Sequence, residues 1–306
     1  MIDIEDLKSR FQELNELEDF LDFQKPSENS LYHYTNIDAL KSIIHDRKIY
    51  ISNAMFLNDK FEVFHLRELI KEVALKMRKV LDQTFFDYLE KIFDDAVYDI
   101  CKNTFILSFG LKNDSLTMWN GYGKNDGYCL TLKYDELLNI LGDYTNQLGS
   151  ISKVKMIYRS VIYKDDLKKK LLTPYLELLH EIDERSGERC VEELITLTKR
   201  ILANILVIGY LSKKECFSDE REFRFVFLLD NFSKDLIKFR TSKGVVIPYI
   251  EIPIVKNGTE LLPVKEITIG PKINIDIASE GIKCFMKKEG YLEDDIIKLS
   301  NIPLRY

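Results

Sequence analysis

The sequence predicts an α+β fold, a mixed and mostly antiparallel sheet with helical insertions. Three observations lead there. Short strand-like runs recur between Leu31 and Ile297. They do not alternate regularly with helices, which disfavours a doubly wound parallel sheet. Two long helical stretches, roughly Asp165 to Asp183 and Glu188 to Leu211, interrupt the series with no strand between them. Hydrophobic residues make up 45% of the 306 and charged residues 31%. That supplies a core and lacks the composition of disorder.

Each element has its own signal. Leu7, Phe11, Leu14, Leu17, Phe20 and Leu21 recur at helical spacing, and Lys25-Pro26-Ser27 ends that helix. Leu31 to Tyr34 reads as a strand, and the Thr35 and Asp38 spacing suggests a capping box for a helix over Asn36 to His45. Lys48 to Ser52 is a second strand, and Asn58-Asp59 opens a helical region reaching Leu81 and then Cys101. Thr104 to Phe109 is nearly all apolar, as a buried strand is. Tyr128 to Leu132, the alternation at Val154, Met156 and Tyr158, then Glu222 to Leu228, Ile237 to Arg240, Val245 to Ile254 and Glu266 to Ile269 read as further strands. A helix over Ile275 to Lys288 and a short strand near Ile297 finish the chain. Residues 1–30 form an N-terminal helical segment, and residues 31–306 one α+β domain with helical insertions at about 59–101 and 165–211.

Composition excludes several functions. Forty-four basic residues against 50 acidic give −6, no cationic coat for nucleic acid, although a local basic groove stays open. The closest two of the five cysteines are 26 residues apart, so no CxxC pair exists for a structural zinc or redox site. The acidic start Met1-Ile2-Asp3-Ile4-Glu5 is unlike a secretory signal. The apolar stretch Ile201 to Leu211 is too short to span a bilayer. The expectation is a cytoplasmic protein with no membrane partner.

Familiar motifs are absent or fail. Gly121-x-Gly123 to Gly127 has the wrong third spacing for a dinucleotide fingerprint and precedes a strand, not a helix. Glu62-x-x-His65 has the spacing of half a di-iron site, but there is no second copy, so a solvated helix face is the better reading. Three clusters remain. In Tyr32-His33-Tyr34-Thr35, strand alternation turns His33 away from both tyrosines. Its bland reading is a core histidine bonded to a carbonyl. Around Ser108 to Gly127, the single Trp119 and Tyr122 lie three apart, able to share a helical face and wall a flat ring, or simply to pin a loop. In Glu220 to Phe227, Phe223, Phe225 and Phe227 take one face and Glu220, Glu222 and Arg224 the other. The carboxylates therefore line a cleft or form a plain salt bridge.

Taken together, these clusters resemble an uncharacterised bacterial family, the domain of unknown function 2971. The resemblance runs from Leu31-Tyr-His-Tyr-Thr35 through Ile51-Ser52, Leu57-Asn58-Asp59 and Glu62. It continues through Ser108-Phe109, Ser115-x-x-Met118-Trp119-x-x-Tyr122-Gly123 and Gly127. It ends with Glu220-x-Glu222-x-Arg224, Ile267-x-Ile269-Gly270-Pro271 and Ser300-x-Ile302-Pro303-x-Arg305. The order of parts also looks like the ADP-ribosyltransferase plan, with Ser108-Phe109-Gly110 where many such enzymes carry Ser-Thr-Ser. That resemblance implies NAD as substrate and no metal. It places a ribose-holding role on His33, stacking on Trp119 or Tyr122, catalysis on Glu222 and the preceding acidic role on Glu220. Tyr34, Ser108 and Arg224 complete the expected cofactor-binding set. The implied function is an NAD-dependent ADP-ribosyltransferase or NAD-cleaving enzyme, a toxin or phage-defence effector in its bacterial setting. The acceptor, protein, nucleic acid or water, stays open. Two alternatives stand beside it: a non-catalytic module binding a nucleotide or protein, and a nuclease holding Mg²⁺ or Mn²⁺ with His33, Asp59, Glu62 and Glu222.

Overall fold

A computed structural model describes residues 4–20, 25–57, 61–77, 83–123, 126–149, 154–185, 192–229, 234–242, 244–255, 258–292 and 294–303. The chain divides into two compact units: residues 1–24, 53–104 and 161–218 form one, and residues 25–52, 105–160 and 219–306 the other.

The first unit carries helices α1 (Ile4–Phe20), α3 (Phe61–Lys76), α4 (Gln83–Cys101), α7 (Asp165–Arg185) and α8 (Glu192–Tyr210). Alpha8 is buried along most of its length, from Leu194 through Ile201 and Ile205 to Tyr210, as its all-round apolar sequence requires. Phe11 of α1 meets Tyr175 of α7 edge to face at 6.4 Å. Leu66 of α3 packs so close to Gly209 of α8 that a methyl group there would lie 2.6 Å from its side chain. His65 is not on a solvated face. Its ring reaches Asp165 (3.1 Å) and Lys168 (3.3 Å), and the fully buried Lys168 ammonium also donates to Asp165 (2.7 Å) and to the Lys213 carbonyl (2.8 Å). A buried ammonium demands such partners, and here they tie α3 and α7 to the chain leaving α8.

The second unit is built on strands β1 (Ser30–Asn36), β2 (Lys48–Asn53), β3 (Thr104–Gly110), β4 (Gly127–Lys133), β5 (Val154–Ser160), β6 (Glu222–Leu229), β7 (Lys238–Ser242), β8 (Val245–Pro253), β9 (Val264–Ile269) and β10 (Ile297–Leu299). They run in the order β10-β9-β4-β1-β3-β2-β8-β7, with β6 joining β3 and β5 joining β6. The sheet is mostly antiparallel, with β9 and β10 parallel. Helices α2 (Ile37–Asp46), α6 (Tyr134–Gly149) and α9 (Ile275–Lys288) contribute Leu40, Leu137, Leu141 and Met286 to one core with Leu31, Phe109, Leu130, Phe223, Phe225 and Ile252. Two sequence expectations need correction. Asn36, not Thr35, caps α2, its side chain accepting from the Ala39 amide at 2.9 Å. Alpha6 has no counterpart among the expected elements, although Leu137, Ile140, Leu141 and Tyr144 carry its helical spacing.

Beta1 pairs along its whole length with β4, but with β3 only at Tyr32 and Gly110. Beta6 begins at the same end of β3, where the Leu111 amide bonds the Arg221 carbonyl at 2.8 Å. Three strands thus meet beside Gly110.

Gly127 opens β4 opposite Asn36 and against the turn at Gly123. A methyl group on Gly127 would strike the Gly123 Cα and sit 2.7 Å from its carbonyl oxygen. Gly127→Ala is expected to cost about 1–3 kcal/mol, the range of overpacking. Gly142→Ala, in α6 with open space around its Cα, should add about 0.5–1 kcal/mol. Urea denaturation of both variants checks the pair, and equal effects of the same sign would contradict the packing described.

Candidate functional site

The loop after β3 is organised by one carboxylate. Asp114 takes a left-handed backbone conformation (φ 50°). Its Oδ1 accepts from Trp119 Nε1 at 2.8 Å and from the Ser300 hydroxyl at 2.5 Å, and its Oδ2 accepts from the Asn301 amide at 2.7 Å. The Tyr34 hydroxyl donates to the Lys112 carbonyl (2.9 Å) and accepts from the Ser115 amide (3.0 Å), while its ring meets Trp119 edge to face at 4.8 Å. Desolvation pushes the Tyr34 hydroxyl pKa well up, so it stays a neutral donor.

Trp119 is enclosed, only 2% exposed, within a cluster of Tyr32, Tyr34, Met118 and Cys129 that Ile302 flanks. Glycines let the chain close on it: a methyl group on Gly123 would lie 2.8 Å from the indole, and one on Gly270 3.1 Å from it. Tyr122 is 38% exposed. The expected shared face of Trp119 and Tyr122 does not form. After α5 (Leu116–Met118) the chain widens into a π-turn over Trp119–Gly123, and three residues of a wider turn no longer return to one side. The indole offers no open wall; the phenol of Tyr122 does.

On β6, Phe223, Phe225 and Phe227 are core, so Glu222 and Arg224 leave the opposite face. They form an ion pair at 2.6 Å, with both side chains 4% exposed. The salt bridge that the alternation allows is therefore present, and it is buried. Glu220 does not extend the alternation. It ends a 3₁₀ turn (Glu215–Glu220), and Arg221 breaks the strand with φ 44°. Its carboxylate nonetheless comes 3.5 Å from the Tyr122 hydroxyl. Ser108 lies on the same face of the sheet as Glu222, since it alternates with Leu107 and Phe109 of the core. Arg159 of β5, which nothing in the sequence singles out, stands directly across from Arg224.

His33 takes the other face. It pairs with Leu130, between core residues, and its ring meets Phe109 edge to face at 5.8 Å. The residue is half-buried, and its ring bonds the Ser108 backbone just past the single β1–β3 pair. The structure thus brings Tyr122 to Glu220 and Arg224 to Glu222, leaves Ser108 on the same face as that pair, ties Tyr34 to the turn at Ser115, and sets His33 on the core side. Of the four nuclease ligands, Asp59 and the side chain of Glu62 lie outside the described residues, and His33 and Glu222 point to opposite faces. Among the described residues no group of three His, Cys, Asp or Glu is arranged to hold a metal ion. Nor is any described helix long and apolar enough to cross a membrane.

Comparisons add a family and a loose structural likeness. Residues 118–225, about a third of the chain, match the family described as Protein of unknown function (DUF2971). That stretch holds Trp119, Tyr122, Arg159, Glu220, Glu222 and Arg224, and it is narrower than the Leu31 to Arg305 span of the sequence resemblance. Among curated proteins none matches. The solved structure of DarT from Thermus sp. 2.9, in complex with ADP-ribosylated ssDNA, is 12% identical and aligns over 92% of this chain and 96% of that one at a TM-score of 0.31. A likeness at that score supports no inference about chemistry.

Burial lowers the pKa of His33 to about 4, against the opposing effect of its bond to the Ser108 backbone. The unfolded histidine titrates near 6.5, so as pH falls the unfolded chain takes up this proton first. The stability contributed by neutral His33 is complete above pH 6.5 and is lost progressively down to about pH 4. The loss there is about 3 kcal/mol. Urea denaturation of wild type and His33→Gln at pH 4 and pH 7 measures it. The variant should show less pH dependence by about that amount; identical slopes would mean that the ring titrates normally.

Proposed function

We propose that this protein transfers ADP-ribose from NAD, or cleaves NAD with water as acceptor, using Glu222. The observation that carries the reading is the buried Glu222–Arg224 pair on the non-core face, two residues on from Glu220, whose carboxylate meets the partly exposed Tyr122. Breaking the bond between ribose C1′ and nicotinamide gives the bonding pair to the departing ring and leaves oxocarbenium-like charge on the sugar. A carboxylate stabilises that charge, as in glycosidases. Its attraction grows towards the transition state, which is what lowers a barrier. The Arg224 guanidinium favours the ionised form of Glu222 in a place where burial alone would oppose it. Tyr122 supplies a flat face for the nicotinamide, and Ser108 a polar group on the same side of the sheet.

In this reading His33 and Trp119 act indirectly. His33 fixes the Ser108 backbone from the core side, and Trp119 anchors the turn that presents Tyr122. Glu220, at the Tyr122 hydroxyl, faces the acceptor. NAD consumption without a strict acceptor would deplete a cell's cofactor, which fits the toxin or phage-defence role that the family resemblance implies. One observation favours a non-catalytic binding module instead: Arg224 holds the Glu222 carboxylate at 2.6 Å with both side chains buried.

Release of nicotinamide from NAD in the presence of chelator separates these readings. Glu222→Gln should lower the rate roughly 10²–10³-fold per folded molecule, the order seen when an electrostatic group is removed from a transition state. Its stability should also drop by about 1–3 kcal/mol, because Arg224 loses its charged partner. Glu220→Gln should keep hydrolysis within a few-fold. Wild-type protein that binds NAD without releasing nicotinamide would establish the binding module, and activity abolished by chelator would favour the nuclease-type site.

A further inference from the structure

We propose that the outer edge of β7 takes an extended segment of another protein, one in which acidic and apolar residues alternate, and adds it to the sheet as a further strand. The inference is independent of the chemistry at Glu222. Strand β7 closes one end of the sheet, and among the described strands only β8 pairs with it. The register sets Lys238 opposite Tyr249, Phe239 opposite Pro248, Arg240 opposite Ile247 and Thr241 opposite Val246. Proline has no N–H, so Phe239 and Pro248 cannot be a pair that exchanges two backbone bonds. The bonded pairs are therefore those of Lys238 and Arg240, and the N–H and C=O groups of Phe239 and Thr241 point away from β8. Backbone turned outward in this way is a template for one more strand.

The side chains of β7 select that strand. Phe239 is 66% exposed, and Val246, diagonal to it on the same face, is 57% exposed. Lys238 and Arg240 leave the other face. Lys238 shares the Glu251 carboxylate (2.7 Å) with Lys48 (3.2 Å), so one acid serves two ammonium groups. Arg240 donates to the Ser52 hydroxyl at 3.1 Å, takes no carboxylate among the described residues, and buries its Nε without a partner there. A strand added antiparallel brings side chains closest at the pairs that exchange no backbone bonds, here those of Lys238 and Arg240. Acidic residues at those two positions, with an apolar one between them opposite Phe239, complement both faces. A second copy of β7 does not. In the registers that bond Phe239 across the seam to Phe239 or Thr241, Arg240 meets the copy's Lys238 or Arg240. The basic residues that guard this edge against its own kind leave it open to an acidic strand.

Binding of a short synthetic peptide alternating glutamate and valine, followed by fluorescence anisotropy and amide NMR shifts, tests this on the full chain. The peptide should bind with its largest shifts at Phe239 and Thr241, and a peptide alternating lysine and valine should bind about tenfold more weakly or worse. Thr241→Pro is the decisive variant. It removes an N–H that β8 does not use, and an edge strand tolerates proline in that orientation. It should weaken the glutamate peptide about tenfold or more with little change in melting temperature. Arg240→Gln should weaken it about two- to fivefold, the worth of an exposed ion pair. If thermal denaturation shows Thr241→Pro to be unfolded, Arg240→Gln decides together with Phe239→Thr, which should lose about as much. Glutamate peptide bound equally by wild type and these variants, or left unbound by wild type at millimolar concentration, would overturn the inference. An oligothymidylate that binds wild type at this edge and keeps its affinity for Thr241→Pro would overturn it too, marking a side-chain patch for polyanions. A wild-type dimer that Thr241→Pro dissociates would overturn it in favour of a second copy.

Discussion

The second unit depends on the enclosure of one indole. Asp114 holds the Trp119 nitrogen from one end, Tyr34 meets the ring at its edge, and Gly123 and Gly270 let backbone approach where any side chain would collide. The same carboxylate captures Ser300 and Asn301, so the chain's last described strand and its exit are fixed to the loop after β3. Each hydrogen bond to the charged group contributes about 1.5–3 kcal/mol, and the aromatic pair about 0.5–1.5 kcal/mol beyond its buried area. Residues quoted as motif, from Tyr34 through Trp119 and Gly127 to Gly270 and Ser300, are therefore neighbours in space. Much of what looks like a functional signature is the packing of one side chain.

That enclosure has a second effect. Because the turn after α5 is pinned by Trp119, Tyr122 is presented outward next to Glu220. Beta1 separates from β3 after a single pair, and the His33 ring takes up a bond to the Ser108 backbone at that point. A neutral imidazole suits the position: a charged one would have to be desolvated against Phe109. Ser108, Glu222 and Arg224 thus lie on one face of the sheet and His33 on the other, its ring bonded to the backbone of β3.

The strands were legible because their apolar residues followed a period of two or ran unbroken, as Thr104 to Phe109 and Phe223 to Phe227 do. Alpha6 was not, since Tyr134 continues directly from β4 with no Gly or Pro to mark the change, and only Asp135 and Glu136 signal a helix start. Glu222 and Arg224 were assigned to a common face from alternation alone. Glu220 was misplaced by the same rule, because nothing in the sequence announces the left-handed Arg221. The placing of Arg159 opposite Arg224 is not legible in the sequence, because register is a property of pairing. The shared face drawn for Trp119 and Tyr122 assumed an ordinary helix, and the π-turn was invisible to spacing.

A buried ion pair such as Glu222–Arg224 is weak ground for stability, because the cost of desolvating both charges offsets most of their attraction. Val226, two residues along the same face and fully buried, shows that β6 accommodates an apolar side chain there. Folding alone would be served as well by apolar residues at 222 and 224. What an apolar pair cannot supply is a carboxylate held against a guanidinium where water is scarce. There an ionised carboxylate interacts far more strongly with a developing positive charge than it would in solvent. The pair therefore adds to β6 a charged group that its contribution to folding does not account for.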